Sequence, residues 1–171
     1  DNKCLIIENK LRYFAGFGLE EYSLPEGIDI IGAGAFSSFT NLKKIIISDG
    51  VSTIGQDAFY NCSSLTNITI PNSVTVIEAY AFNNCTSLQS ISLPEGVEEI
   101  SHCTFYNCES LLTVNIPYGV STIGASAFYH CTSLADITIP DSVRIISDNA
   151  FSGCTSISDI IIPNSVNKIG D

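Results

Sequence analysis

A phenylalanine that recurs every 23 residues is the feature that most constrains what this chain can fold into. The recurring residues are Phe36, Phe59, Phe82, Phe105, Phe128 and Phe151. The repeated unit reads P-x-x-V-x-x-I-x-x-x-A-F-x-x-C-x-x-L-x-x-I-x-I, with six full units over residues 25–162 and a partial seventh over 163–171. One such unit cannot bury its own apolar side, whereas stacked copies bury a continuous core. The chain is therefore predicted to be a repeat solenoid.

The pattern inside each unit predicts its local structure. "NITIP" (67–71) alternates polar and apolar residues, which is typical of a half-buried β-strand ended by proline. "PEG" (94–96) has the composition of a turn, and "VEEI" (97–100) offers a second short extended piece. The steps of three between Phe82, Cys85 and Leu88 favour a short 3₁₀ or α turn. Each unit is thus predicted to form one coil, with coils about 4.8 Å apart.

Five of the seven cysteines occupy one position of the unit. These are Cys62, Cys85, Cys108, Cys131 and Cys154. Phe39 fills that position in the first unit, and a position that accepts phenylalanine is an apolar interior site. Five cysteines cannot all pair with one another. We expect free thiols that serve packing rather than reactive or metal-binding groups.

The distribution of charge excludes some partners. The formal net charge is −11, and no lysine or arginine occurs between residues 45 and 143. Such a surface repels nucleic-acid phosphates and anionic lipid head groups, so no nucleic-acid partner is expected. No apolar run reaches membrane-spanning length, so no membrane insertion is expected either. The sequence has no methionine and begins at Asp1, so we expect it to be a piece of a longer chain.

The unit "CTSLQSISLPEGVEEI" (85–100), continued by Phe105 and Cys108, resembles the BspA-like, or treponemal-type, leucine-rich repeat of bacterial surface proteins. The resemblance implies a right-handed coil of parallel β-strands and short helical turns. It also implies a β-hairpin cap over residues 1–24, with "LII" and "LRYF" as strands and "ENK" as the turn, in front of a repeat array over 25–171. The expected location is extracellular, at a cell surface.

The resemblance further implies a non-enzymatic module without cofactors that adheres to host or neighbouring-cell surface proteins, an extracellular-matrix protein among the candidates. Two alternatives stay open. The array could be a structural spacer that displays another domain, or it could bind carbohydrate. The family has no catalytic residues or binding motif to transfer, so candidate sites must come from the residues themselves.

The outward side chains of the predicted strands form the first candidate protein-binding face. They are mostly small and able to form hydrogen bonds, and solenoids commonly bind along such an extended surface. The candidate residues are Asn67, Thr69, Ser90, Ser92, Thr113, Asn115, Asp136 and Thr138.

A set of tyrosines forms the second candidate patch. Tyr60, Tyr106 and Tyr129 follow the core phenylalanine, Tyr80 lies nearby, and all four are predicted to be exposed. Tyrosine is favoured at interfaces, and aromatic rows also suit stacking on sugars.

Cys103 is the candidate for reactivity, because it lies outside the cysteine position of the unit and follows His102. A Cys/His nucleophile or a zinc site are the functional interpretations, and an incidental exposed thiol is the simpler one. Zinc prefers four converging ligands, and no such spacing occurs in the sequence, so no metal site or catalytic residue is predicted. Cys103 is expected to face solvent, and either Cys103 or Cys4 could form an intermolecular disulfide.

Two further expectations concern the surface and the end of the array. The acidic residues Glu95, Glu98 and Glu99 share one coil, where they either keep the array soluble or dock a basic partner. The partial seventh unit leaves an apolar side open, which favours end-to-end self-association.

Overall fold

The computed structural model of the chain describes residues 3–171, and each repeat in it forms one coil of a solenoid. Residues 3–171 contain fourteen short strands. They are β1 Cys4–Ile7, β2 Lys10–Phe14, β3 Glu21–Ser23, β4 Ile30–Ile31, β5 Lys44–Ile46, β6 Thr53–Ile54, β7 Asn67–Thr69, β8 Val76–Ile77, β9 Ser90–Ser92, β10 Glu99–Ile100, β11 Thr113–Asn115, β12 Thr122–Ile123, β13 Ile145–Ile146 and β14 Lys168–Ile169.

The strands stack into two parallel arrays, which we call sheet 1 and sheet 2. Sheet 1 contains β3, β5, β7, β9 and β11, and its hydrogen bonding is interrupted between β7 and β9. Sheet 2 contains β2, β4, β6, β8, β10, β12, β13 and β14, with an interruption between β8 and β10. Equivalent residues of successive units lie side by side, as Ile45 does with Ile68 and Ile54 with Ile77. The predicted coil of two extended pieces is therefore confirmed.

The core consists of columns, by which we mean the residues at one position of successive coils. Phe36, Phe59, Phe82, Phe105 and Phe128 are fully buried, and neighbouring rings of this column are nearly parallel. Their centroids lie 5.1 to 5.6 Å apart. Aliphatic columns flank the rings, so each coil buries its apolar side only against its neighbours.

The predicted helical turn is a pair of hydrogen-bonded turns, and the described residues contain no helix. The spacing of three is right, because Cys85 N donates to Phe82 O at 3.1 Å and Leu88 N donates to Cys85 O at 3.0 Å. Continuation into a helix fails at two positions per coil where the backbone is left-handed, such as Tyr80 (φ 61°) and Asn84 (φ 59°). Asparagine tolerates this conformation better than most residues, which explains the recurring Asn-Cys pair.

The cysteine column is held by hydrogen bonds from each thiol to a backbone carbonyl of the preceding coil. Cys62 Sγ donates to Phe36 O at 3.0 Å, and Cys108 Sγ donates to Phe82 O at 3.2 Å. Burial raises the pKa of Cys62 and of Cys108 to about 12. All seven cysteines are free, and the five in this column are buried thiols, as predicted.

A β-hairpin covers the first coil, as predicted. Its strands β1 and β2 are antiparallel, and the turn residues Glu8 and Asn9 both have positive φ, the geometry of a tight two-residue hairpin turn. β2 then pairs with β4 in parallel, so it acts as the strand of a preceding coil. Asp1 and Asn2 of the predicted cap lie outside the described residues.

Candidate protein-binding face

Six of the eight predicted face residues lie in strands β7, β9 and β11 of sheet 1, and Asp136 and Thr138 occupy the equivalent positions of the next coil. All eight are exposed, because alternate residues of a strand point to opposite sides of the sheet. β9 and β11 pair so that Ser90 lies beside Thr113 and Ser92 lies beside Asn115. Asn115 Nδ2 donates to Ser92 Oγ at 3.3 Å, which fixes the amide against the neighbouring coil. Across β9 and β11 the face is therefore a row of hydroxyl and amide groups on a hydrogen-bonded support.

Six of these eight residues surround one shallow depression of about 440 Å³. They are Ser90, Ser92, Thr113, Asn115, Asp136 and Thr138. Ile91, Val114, Ile116 and Pro140 also line it, and the first three of them are buried core residues. The depression lies where sheet 1 loses regularity, since Asp136 pairs with Thr113 only through an isolated bridge. Asn67 and Thr69 lie on the same face outside this depression.

Charge changes along the face from one end to the other. β3 begins with Glu21 and β5 with Lys44, the strand residues from Asn67 to Asn115 carry no charge, and the next two coils present Asp136 and Asp159. The ion pair found among the described residues is Lys43 Nζ with Glu20 Oε1 at 2.9 Å, near the start of the array. The carboxylate of Asp136 therefore lies at the depression with no lysine or arginine in salt-bridge contact.

The four candidate tyrosines do not form one patch. Tyr106 and Tyr129 stack with ring centroids 4.8 Å apart, and His130 stacks on Tyr129 at 4.6 Å. Tyr60 is exposed, but Asn83 occupies the same column between Tyr60 and Tyr106. Tyr60 is exposed as predicted, whereas Tyr80, Tyr106 and Tyr129 are half-buried. Ring faces that cover one another offer less surface for stacking on a sugar.

The expectation that Cys103 faces solvent is wrong, because only 5% of the residue is exposed. Cys103 has a left-handed backbone (φ 53°), which brings its Sγ to 3.3 Å from His102 Nε2. Burial raises the pKa of the Cys103 thiol, and hydrogen bonds with Tyr80 and Ser126 oppose that shift. His130 takes no part in this contact, since its ring lies on Tyr129.

The described part of the chain has neither a cluster of metal ligands nor a membrane-spanning helix. Within residues 3–171, no three His, Cys, Asp or Glu side chains are grouped so that they could hold a metal ion. Over the same residues, no helix has the length and apolar character needed to cross a membrane.

Sequence reasoning missed the apolar part of the depression. The repeat pattern gives Ile116 an inward strand position and Pro140 the position that ends the strand, yet both line the depression beside Asn115 and Thr138. The available signal was their closeness to the outward residues Asn115 and Thr138, one and two positions before them. A depression forms there because the coil after β11 pairs with it only through an isolated bridge. The sequence pattern of a single unit does not predict this loss of pairing between coils.

Stacked parallel coils with turns and a buried cysteine in five of the six full units are typical of a leucine-rich repeat solenoid. The chain belongs to the family described as the BspA type leucine rich repeat region, which matches in six copies over residues 7–135 and 76–171. No protein with a curated description matches this chain at the sequence level.

Three solved structures show the same fold. The T. pallidum leucine rich repeat protein is 30% identical with a TM-score of 0.88, over 94% of this chain and 77% of that one. A leucine rich cell surface protein from Faecalibacterium prausnitzii is 32% identical with a TM-score of 0.89, over 99% and 49%. A leucine-rich repeat protein from Eubacterium ventriosum is 31% identical with a TM-score of 0.90, over 99% and 47%. The chain thus spans about half the length of the last two proteins.

Proposed function

We propose that this chain is a non-enzymatic protein-binding module that acts outside the cell, at a cell surface, on host or neighbouring-cell surface proteins. The observation that carries the proposal is the exposed row of hydroxyl and amide groups on sheet 1, centred on the depression beside Asn115 and Asp136. A solenoid holds such a surface rigid, so a partner loses little binding free energy to ordering it.

The chemistry of the face favours a protein partner with a basic character. Ser92, Thr113 and Asn115 offer hydrogen bonds to peptide groups or polar side chains, and the partly exposed Pro140 supplies apolar contact. The Asp136 carboxylate would pair with a lysine or arginine of the partner. Electrostatic attraction of this kind mainly raises the association rate and weakens as salt increases.

The surface location is supported by likeness to the F. prausnitzii protein, which is described as a leucine rich cell surface protein. One alternative keeps a specific observation in its favour. Because the chain spans about half of two similar proteins, the array could act as a spacer within a longer protein. The carbohydrate alternative is weakened by the mutual stacking of Tyr106 and Tyr129.

The experiment is surface-plasmon binding of the purified chain to a panel of extracellular-matrix proteins, with albumin as the negative control. We expect saturable binding to at least one of them, stronger at low than at physiological salt. The face variant Asn115→Ala/Thr138→Ala should weaken it about tenfold or more, as expected for residues near the centre of an interface.

Matched variants keep this test specific. Thr53→Ala/Thr122→Ala removes two threonine side chains from sheet 2, and it should leave binding unchanged. Binding that both double variants weaken equally would contradict the assignment to sheet 1. Absence of binding to every matrix protein would contradict the adhesion proposal and favour the spacer.

A further inference from the structure

The outer side of sheet 2, which faces solvent away from the proposed binding face, carries charges of both signs. Arg144 directly precedes β13 and Lys168 begins β14, and both residues are exposed. No other lysine or arginine follows residue 44. Two exposed carboxylates, those of Glu98 and Glu99, lie on the same side at β10. Sheet 2 therefore holds every later lysine and arginine of the repeat array close to a pair of glutamates.

These charges do not pair within one chain. β10 pairs with β12 and β12 pairs with β13, so two strand spacings put Glu98 and Arg144 about 10 Å apart along the sheet. Over residues 3–171 the salt bridge is the one between Lys43 and Glu20, so Glu98 and Arg144 have no ion-pair partner there. Arg144 Nη1 donates to Asp141 O at 2.8 Å, which leaves other N–H groups of the guanidinium for a partner.

The strand between the two charged strands presents short side chains. At β12 the outward positions hold Ser121, which is exposed, and Thr122, which is half-buried. Ser121 Oγ donates to Glu98 O at 3.2 Å, so this side chain lies against the sheet. A second surface can therefore approach sheet 2 closely at β12.

The charge pattern of sheet 2 is complementary to itself. β10 and β13 lie on either side of β12, one strand away from it. A two-fold axis along β12 therefore places β10 of one copy opposite β13 of a second copy, and β13 opposite β10. Glu98 and Arg144 occupy the same position of the repeated unit, so they face each other across this axis twice. One axis thus creates two identical sets of ion pairs.

We propose that the outer face of sheet 2 is a dimer interface, on which a second copy of this chain packs with β12 at the two-fold axis. The overlap runs from β8 to β14, about 20 Å along the solenoid. Such an interface is at the small end of the range for specific contacts, so the dimer is weak and forms at high concentration. The net charge of −11 opposes association, and physiological salt screens this long-range repulsion more than it screens ion pairs in contact.

The test is a charge exchange between β10 and β13, with the dimer Kd measured by sedimentation velocity at physiological salt. Every chain carries Ile162→Ser/Ile169→Ser, which reduces the exposed apolar surface of the last coil without adding charge. Glu98→Lys/Glu99→Lys places like charges opposite each other in its own dimer, and so does Arg144→Glu. Each variant alone should raise the dimer Kd at least about tenfold. An equal mixture of the two should restore dimerisation, because every facing pair is then opposite in charge.

The mixture separates this interface from general electrostatic attraction. Both variants remain strongly negative, since they change the native charge of −11 by only four and two. Asp136→Lys/Asp159→Lys is the matched control, because it makes the same change of charge as Glu98→Lys/Glu99→Lys on sheet 1 instead of sheet 2. It should dimerise with the Kd of the reference chain.

Recovery in the mixture would also show that both charge variants are folded. A reference chain that stays monomeric at its highest soluble concentration would overturn the proposal, as would charge variants that dimerise with the reference Kd. A mixture that stays monomeric would overturn it too, because the facing charges of β10 and β13 would then not pair.

Discussion

The repeated core is covered at the first coil of the solenoid and partly exposed at the last coil. At the first coil, Phe14 of the hairpin packs 4.8 Å from the Phe36 ring and 5.2 Å from the Phe39 ring, and it is fully buried. At the last coil, Ile162 is 39% exposed and Ile169 is 61% exposed. The equivalent residues one coil earlier, Ile139 and Ile146, are 6% and 4% exposed.

This difference shows that the burial of a residue in the array depends on whether a neighbouring coil covers it. Ile146 and Ile169 are the same residue type at the same position of the unit, yet they differ more than tenfold in exposed fraction. The predicted stability contribution of a residue therefore depends on its place in the stack, as expected when stability is a sum of coil and interface terms.

The largest expected effect comes from removing a ring in the middle of the phenylalanine column. Phe82→Ala should lower the free energy of unfolding by about 3–5 kcal/mol, because Phe82 is fully buried between Phe59 and Phe105. Phe151→Ala should cost about 1–2 kcal/mol, because Phe151 is half-buried and stacks on Phe128 at its inner side. Urea unfolding followed by circular dichroism measures both, and equal costs would contradict the dependence on position.

A second prediction concerns alkaline pH. Burial raises the pKa of Cys108 to about 12 from 9.0, whereas it raises the pKa of Cys154, in the last full coil, to about 11. Above pH 9 the unfolded chain loses thiol protons that the folded chain keeps. The stabilisation is complete below pH 9 and is lost as pH rises toward 12.

Chemical unfolding at a series of alkaline pH values measures this loss. Cys108→Ala should reduce its slope by about 1.4 kcal/mol per pH unit between the two pKa values of that thiol. Cys154→Ala should act over a narrower pH window. The prediction fails if the slope is the same with and without the Cys108 thiol.

A smaller effect is expected at the left-handed positions of the coil. Asn107 has φ 58°, and its Nδ2 donates to Asn84 Oδ1 at 2.8 Å. Asn107→Val should be about 1–2 kcal/mol less stable than Asn107→Gly, because a branched side chain opposes the left-handed backbone and glycine does not. Gly153 already occupies this position in the last full coil. Thermal unfolding of the two variants decides the point, and equal stabilities would show that the coil relaxes.

The last prediction concerns substitutions that change self-association and have little effect on folding. The open apolar end favours end-to-end self-association of this chain, which Ile162→Lys/Ile169→Lys should abolish at high concentration. Ile161→Lys is the matched control, because Ile161 is 83% exposed and points outward from the last strand position of its unit. Sedimentation velocity over a concentration series measures the effect. A chain that is monomeric throughout, or a control that acts like the double variant, would contradict end-to-end association.

Most of the fold could be predicted from the sequence because every unit repeats the same pattern of strand, turn and apolar residues. Alternation around Ile68, the proline at position 71 and the phenylalanine column all indicate one coil, and several copies of each pattern leave little ambiguity. The predicted helical turn was the exception. Spacing of three is shared by a short helix and by successive turns, and only the left-handed Asn84 and its equivalents distinguish them.

The candidate sites were less predictable than the fold. The outward direction of Ser92 and Asn115 followed from strand alternation, so their exposure was predicted. Their grouping around a depression depends on the spacing between particular coils, which no local pattern encodes. The polar residues at the equivalent positions of other units predict that Cys103 faces solvent, yet Tyr80 and Ser126 of the adjacent coils contact its thiol.

The sequence by itself determined the family, the coil and the set of side chains that each coil buries, because these follow from a period of 23 residues. The stacking of the coils sets the exposed fraction of equivalent residues, which differs between Ile146 and Ile169. It also brings unlike side chains into contact, such as Cys103, His102 and Tyr80. The physical reason is that a repeat specifies contacts between identical positions. Contacts at the ends of the stack and between non-repeated side chains depend on distances that arise only after the coils assemble.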